Sequence, residues 1–242
     1  MSETLVALVT GANKGIGYEI ARGLGETGAT VLVGARDAER GAVAVEKLSA
    51  DGVDAVALEL DVTDPLSITA AAARIEREYG RLDILVNNAA ILAERGQPPS
   101  RTPVELLERT YATNVYGVVA VTNALLPLLR AAPAARIVNL SSGLGSMTLT
   151  ADPGGPYPGA LLLAYNSSKS ALNSITVTYA NELRDTPIKV NAADPGYCAT
   201  DLNGHAGPRT PAQGAIAAVR LATLPADGPT AAFFDDAGTV PW

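Results

Sequence analysis

The sequence predicts an α/β protein: a doubly wound parallel sheet of about seven strands with helices on both faces. Three observations predict it. Short apolar runs that read as buried strands recur along the chain, beginning with Leu5-Val6-Ala7-Leu8-Val9. Helix-like segments fill the intervals, as parallel strands require for their crossovers. A glycine-rich turn, residues 11–17, joins the first run to the first helix.

Each element has its own signal. After the turn, residues 18–24 read as helix, 30–35 as strand, 37–50 as helix and 55–60 as strand. The helix at 66–79 is opened by Thr63-Asp64-Pro65, a cap followed by a first-turn proline, and stopped at Tyr79-Gly80. Residues 82–86 form a strand, Thr102-Pro103 opens a long helix running toward Leu129, and 136–140 is strand again. Residues 143–159, rich in glycine and proline, are irregular. A helix over 165–184, a strand over 188–192 and a last strand near 231–234 complete the chain. There is no repeat and no low-complexity tract, so residues 1–242 are expected to form a single domain.

Bulk properties narrow the function. Of 242 residues, 48% are apolar and 18% charged, which suits a large core and excludes a disordered chain. A net charge of −7 argues against nucleic acid or an anionic membrane as partner. One cysteine, Cys198, rules out an internal disulfide, and with the one histidine, His205, it makes a His/Cys metal site an unexpected outcome. The N-terminus lacks a basic stretch leading into a long apolar run, and no segment is expected to reach the ~18 apolar residues of a membrane span. A cytoplasmic location follows as the expectation.

Two motifs carry chemistry. Thr10-Gly11-Ala12-Asn13-Lys14-Gly15-Ile16-Gly17 has the spacing Gly-x-x-x-Gly-x-Gly, between a strand and a helix. Glycines there let the backbone turn sharply and approach a pyrophosphate held at the helix N-terminus. Tyr165 and Lys169 lie four apart on a helix, so phenol and ammonium share a face. A tyrosine holds its proton to pH ~10 unless a cation sits beside it. An exposed helix pair has the same spacing, so this pair gains weight only in company.

The company is present. With these two motifs, Asn87-Asn88-Ala89-Ala90 at a strand end, Asn114 in a helix, Ser141-Ser142 after a strand, and Pro195-Gly196 with Thr200 occur in one order. The ordered set resembles the short-chain dehydrogenase/reductase family in its compact single-domain branch, over residues 10–200. Asn13-Lys14 and Gly34-Ala35-Arg36-Asp37 are most similar to its NADPH-dependent carbonyl reductases. The resemblance implies a Rossmann-type sheet and an oxidoreductase exchanging hydride with a nicotinamide dinucleotide. It implies Tyr165 as general acid/base, Lys169 as its electrostatic support and ribose ligand, and Ser142 as the hydrogen-bond partner of the substrate oxygen. Ser141 is the alternative to Ser142. Asn114 is implied as part of a proton relay, with repair of a helix distortion as its plainer role.

Cofactor contacts follow the same way: Gly11, Asn13, Lys14, Gly15, Ile16 and Gly17 in the turn, Arg36, Asp61 and Val62, Asn88, and Pro195, Gly196 and Thr200. Asn88 has a structural alternative, knitting the sheet by side-chain hydrogen bonds. At the end of the second strand an NAD-preferring site places a carboxylate on the ribose. Here Ala35 and Arg36 stand there, and a guanidinium grips a 2′-phosphate in a two-pronged contact. NADP(H) is therefore expected, helped by Lys14 and opposed by Asp37; NAD(H) is the alternative.

Ser142 and Tyr165 are twenty-three residues apart, wider than the resemblance leads one to expect. The extra chain, about 143–163, is read as a loop insertion in which Leu144, Met147 and Tyr157 wall a substrate pocket. Tyr197 and the rest of 197–210 are read as a lid. A small, mostly apolar ketone, aldehyde or keto ester is the expected substrate, with self-association left open. A thiol mechanism through Cys198 is rejected because nothing fixes His205 as its base. The rival readings are an NAD-dependent alcohol dehydrogenase with the same catalytic set and a non-catalytic dinucleotide-binding regulator.

Overall fold

The computed structural model describes residues 4–94 and 96–242. Seven strands form one wholly parallel sheet: β1 Val6–Thr10, β2 Thr30–Ala35, β3 Ala55–Glu59, β4 Ile84–Asn87, β5 Arg136–Leu140, β6 Lys189–Ala193 and β7 Phe233–Phe234. Their spatial order is β3-β2-β1-β4-β5-β6-β7. From β1 the chain winds outward through β2 to β3, then returns to the other side of β1 as β4. The reversal leaves a crevice beyond the carboxyl ends of β1 and β4, where open α/β sheets bind ligands. Register is tight there, with Val9 paired to Val33 on one side and Val86 on the other.

Strand alternation divides the core in two. Leu8, Leu32, Leu85, Ile137 and Val190 face one way, onto helices α3 (Pro65–Tyr79), α5 (Val118–Ala131) and α7 (Leu163–Glu182). Ala7, Val9, Val31, Val33 and Val86 face the other, onto α1 (Gly15–Glu26), α2 (Ala38–Ala50) and α8 (Pro211–Ala222). Both faces are dry, which explains why the strands read as unbroken apolar runs rather than as an apolar/polar alternation.

Local signals fix the helix ends. Asp37 and Asp64 cap α2 and α3 through their carboxylates, and Gly80 ends α3 in the left-handed region at φ 71°. Three departures from the sequence expectations stand out. The long helix is not uniform: α4 (Val104–Tyr111) passes into α5 through a π-helical segment, Ala112–Gly117, that carries Asn114. The tract 143–159 is not wholly irregular, since a 3₁₀ turn at Gly143–Gly145 leads to α6 (Met147–Ala151), capped by the Ser146 hydroxyl. Finally, the continuous helical run Val104–Ala131 does have the length and apolar content of a membrane span, contrary to expectation. Half of its most apolar stretch is buried, and Val121, Leu125 and Leu129 pack on the sheet, so that content serves the core.

Candidate active site

The turn between β1 and α1 is shaped for bare backbone. Gly11 and Gly15 adopt φ of 65° and 60°, a region L side chains rarely enter. A Cβ on Gly17 would lie 2.6 Å from the Gly11 carbonyl oxygen and 2.4 Å from Asn88 Nδ2. Helix α1 begins here with no side-chain cap on its first N–H groups and no acidic residue in its first turn. Such a cradle fits a dinucleotide pyrophosphate, whose oxygens would take those donors. Asn88 serves the cradle structurally: its Nδ2 donates to the carbonyls of Thr10 (2.8 Å) and Gly11 (3.2 Å). Gly17→Ala is expected to lower the melting temperature by several degrees and to weaken dinucleotide binding at least about 10-fold. Overpacking of ~1–3 kcal/mol outweighs the ~1 kcal/mol helix gain of alanine. A thermal melt and a cofactor fluorescence titration check it.

At the carboxyl end of β5 the chain brings Ser142 to Tyr165 and Lys169. Tyr165 is buried, and Lys169 Nζ lies 5.6 Å from the centre of its ring. The Ser142 hydroxyl is close enough to the phenol to act on its proton affinity. Burial drives the phenol's proton affinity up, Asp194 adds to that, and Ser142 opposes both. Burial also pushes Lys169 down to about 8, with Asp194 acting the other way. Its ammonium donates to the Leu140 carbonyl at 2.8 Å, which aims it along β5. Ser141 faces away from this group, with its hydroxyl on Asn173 Oδ1 at 2.5 Å. Asn114 meets neither Tyr165 nor Lys169 directly. Its amide takes the N–H and C=O of Ile91 (2.9 and 3.0 Å) and donates to Ser168 Oγ (3.1 Å), which in turn donates to the Tyr165 carbonyl.

Charge gathers at the other end of the crevice. Arg36 is exposed beyond β2 and lowers the proton affinity of Asp61, whose carboxylate is held mainly by the Thr63 hydroxyl. A shallow pocket of about 420 Å³ is lined by Asn13, Lys14, Glu39, Arg40 and Val43. Lys14 is not free in it, because its ammonium pairs with Asp201. Arg40 was not singled out by the sequence reading; it lies one turn into α2, where its guanidinium contacts the Asp37 cap at 3.5 Å.

The insertion folds back on the site. Tyr157's phenol occupies the space that a side chain at residue 143 would need. Met147 points outward, 65% exposed, with its sulfur 3.8 Å from Ser170 Oγ. Residues 197–210 are closed by a bridge between Cys198 and Arg209, and the 3₁₀ turn Asp201–Asn203 carries Thr200 over Gly15. Tyr197 projects from it, largely exposed. His205 pairs with Asp201 at 2.8 Å rather than with Cys198, whose thiol donates to the Pro195 carbonyl and is pushed up by burial. Val62 is buried beside the π-helical segment, its carbonyl 2.8 Å from where a Gly117 Cβ would stand.

Two buried carboxylates near the site escaped the sequence reading. Glu94, in the loop after β4, accepts the backbone N–H of Tyr165 at 2.7 Å, supplying the cap that α7 lacks locally. Asp194 follows β6 and accepts the Gly196 N–H at 2.9 Å, and its Oδ2 lies 2.9 Å from where a Gly143 Cβ would stand. Neither has a motif signal; the Asp-Pro-Gly run reads as an ordinary turn.

With this geometry in view, three comparisons bear on identity. A family profile described as short chain dehydrogenase matches residues 5–210. Short-chain dehydrogenase anuI of Penicillium roqueforti is 40% identical over 224 residues, spanning 90% of this chain and 88% of the relative. Carbonyl reductase (NADPH) 1 of Sus scrofa is 36% identical over 280 residues, spanning 100% and 95%. The solved structure of salutaridine reductase from Papaver somniferum superposes with a TM-score of 0.83 at 31% identity, covering 96% of this chain and 99% of that one. A nicotinamide-binding oxidoreductase acting on carbonyls and alcohols, this chain belongs to the short-chain dehydrogenase/reductase family.

Proposed function

We propose that this chain is an NADPH-dependent carbonyl reductase, reversibly reducing a small, mostly apolar ketone, aldehyde or keto ester. The observation that carries the reading is the buried pair of Tyr165 and Lys169 beside half-buried Ser142 at the end of β5, on the same crevice as the bare glycine turn. When bound, the dinucleotide supplies or accepts the hydride. Tyr165 donates its proton to the carbonyl oxygen as charge gathers there, and removes it again in alcohol oxidation. Lys169 stabilises the phenolate, with donors left over for the nicotinamide ribose. Ser142 hydrogen-bonds the substrate oxygen and holds it at the phenol. Asn114 fixes the π-helical segment against α7, beside the route by which Lys169 would exchange protons with solvent.

The choice of NADPH rests on Arg36, exposed just beyond β2, on Lys14 and Arg40 in the nearby pocket, and on the NADPH named for the porcine relative. Asp61 and Val62 would line the adenine side, with Asn13, Ile16, Pro195, Gly196 and Thr200 along the phosphates and nicotinamide. Leu144, Tyr157 and Tyr197 would border the substrate. Glu39 in the same pocket and Asp37 beside Arg36 favour the second reading, an NAD-dependent alcohol dehydrogenase. Parallel fluorescence titrations with NADPH and NADH separate the two. A consumption screen over aromatic aldehydes, quinones, ketones and keto esters tests the activity; binding without turnover across that panel would leave only a dinucleotide-binding regulator.

The pH dependence has a defined sign. Lys169 is an ammonium below about 8 and loses its charge above it. Reduction needs that charge, so kcat/KM is expected to hold below about pH 8 and to decline toward tenfold per pH unit above it. A profile from pH 6 to 10 with a pH-stable carbonyl substrate checks this.

A further inference from the structure

We propose that Glu94 is a positioning residue for the proton donor: its buried carboxyl group clasps the backbone of Tyr165 from the loop after β4 and so sets where the phenol stands against Lys169 and Ser142. The inference rests on the reading of Tyr165 as the acid. Glu94 is 3% exposed, and its Oε1 accepts the Tyr165 N–H at 2.7 Å. Its other oxygen has no hydrogen-bond partner among the described residues, so the Tyr165 N–H is the contact this burial serves. Tyr165 is the third residue of α7, where N–H groups find no acceptor within the helix, and Leu162 ahead of it offers no side-chain cap. The other end of the same residue is held from the same loop. Ile91, three residues before Glu94, binds the Asn114 amide through both its N–H and its C=O. That amide donates to Ser168 Oγ, which donates to the Tyr165 carbonyl at 2.7 Å. The loop thus reaches Tyr165 at both backbone ends, directly and through the π-helical segment. It starts at Asn88, whose side chain buttresses the glycine turn, so the cofactor cradle and the acid share one support.

The acid is the member of the catalytic group whose place depends on this clasp. Lys169 has its own anchor on the Leu140 carbonyl at 2.8 Å, and Ser142 has one on the Leu144 N–H at 3.2 Å. Tyr165 lies in the first turn of α7, the part of a helix that frays when its cap is lost. Ser168, Lys169, Leu172 and Asn173 are buried further along, so the helix beyond that turn keeps its place. Cutting back Glu94 therefore moves the phenol against an ammonium and a hydroxyl that stay where they are. A displacement of about 1 Å at a reacting group costs on the order of 100-fold in rate.

The test is a double-mutant cycle, with rates taken well below the melting temperature of each variant. Glu94→Ala is expected to lower the single-turnover rate of carbonyl reduction at saturating NADPH by about 10-fold or more, with the Kd for NADPH within about twofold. Glu94→Gln presents an amide oxygen to the same N–H and is expected to bring the rate back to within about threefold of the unaltered enzyme. In the Tyr165→Phe background, Glu94→Ala is expected to lower the residual rate by less than about twofold, because Glu94 acts through the phenol. If Glu94→Ala does not fold, Glu94→Asp takes its place in the cycle, keeping the carboxyl group but drawing it back by one methylene. A cap that served stability alone would lower the melting temperature and leave the rate of the folded enzyme unchanged, and that result would overturn the inference. Equal losses with and without the phenol, or a Glu94→Gln enzyme as slow as Glu94→Ala, would overturn it too. The underlying reading fails separately: a Tyr165→Phe enzyme that turns over near the unaltered rate removes the acid, whereas a nearly inactive one beside an unslowed Glu94→Ala removes only the role of Glu94.

Discussion

Replacing Tyr165 with phenylalanine is expected to lower carbonyl-reduction turnover by about 10³-fold or more while leaving the Kd for NADPH within about twofold. The estimate takes the upper part of the range for a positioned acid, because this residue would also orient the carbonyl. The substitution removes one oxygen and nothing else from a buried ring held by α7 at its backbone and by Lys169 near its face. The loss therefore falls on the reacting end. The Ser142 hydroxyl loses the neighbouring phenol oxygen and retains the Leu144 N–H, which it accepts at 3.2 Å. Stability should change by no more than ~1 kcal/mol, the usual net worth of one hydrogen bond. Single-turnover kinetics with saturating NADPH would read the chemical step, and a thermal melt would exclude unfolding. Turnover within tenfold of the unaltered enzyme would mean that another group delivers the proton.

What could be read from the sequence and what could not have physical causes. The sheet was legible because strands buried on both faces cannot alternate: residues 5–9, 31–35 and 84–86 announce themselves by continuous apolar runs. The glycine turn was legible because bare backbone leaves a compositional mark. Tyr165 and Lys169 were legible because helical spacing is fixed over one turn. The π-helical segment at Ala112–Gly117 left no such mark, since one wider turn barely disturbs the apolar period of a long helix. Helix α6 was hidden because five residues are too few for a period, and its start depends on the Ser146 cap inside a glycine-rich tract. Glu94 and Asp194 were hidden for a different reason. Glu94 acts on Tyr165, seventy-one positions away, and Asp194 lies against Gly143, fifty-one positions away, and only folding brings these residues together. Lys14 was read as a cation awaiting a phosphate; its pairing with Asp201 depends on a contact 187 positions away in the chain.

Arg36→Asp is expected to reverse the nucleotide preference, weakening NADPH about 100-fold while leaving NADH binding unchanged or tighter. A guanidinium on a 2′-phosphate makes charge-assisted hydrogen bonds worth ~1.5–3 kcal/mol, and ~2.7 kcal/mol is a factor of about 100. A carboxylate there adds repulsion toward the phosphate and an acceptor for the ribose hydroxyls of NADH. Arg36 is suited to this control because it is exposed just beyond β2, with Asp61 the neighbour that feels its charge. Arg40 and Lys14 should matter less, each already facing an acidic side chain, Asp37 and Asp201. Salt discriminates further: the NADPH affinity of the unaltered enzyme should fall between 50 and 500 mM NaCl, and that of Arg36→Asp should not, because screening removes attraction in one and repulsion in the other. Fluorescence titrations of both enzymes with both nucleotides at two salt concentrations measure all of this. An unchanged ratio of the two dissociation constants in Arg36→Asp would move phosphate recognition off β2 and onto the glycine turn.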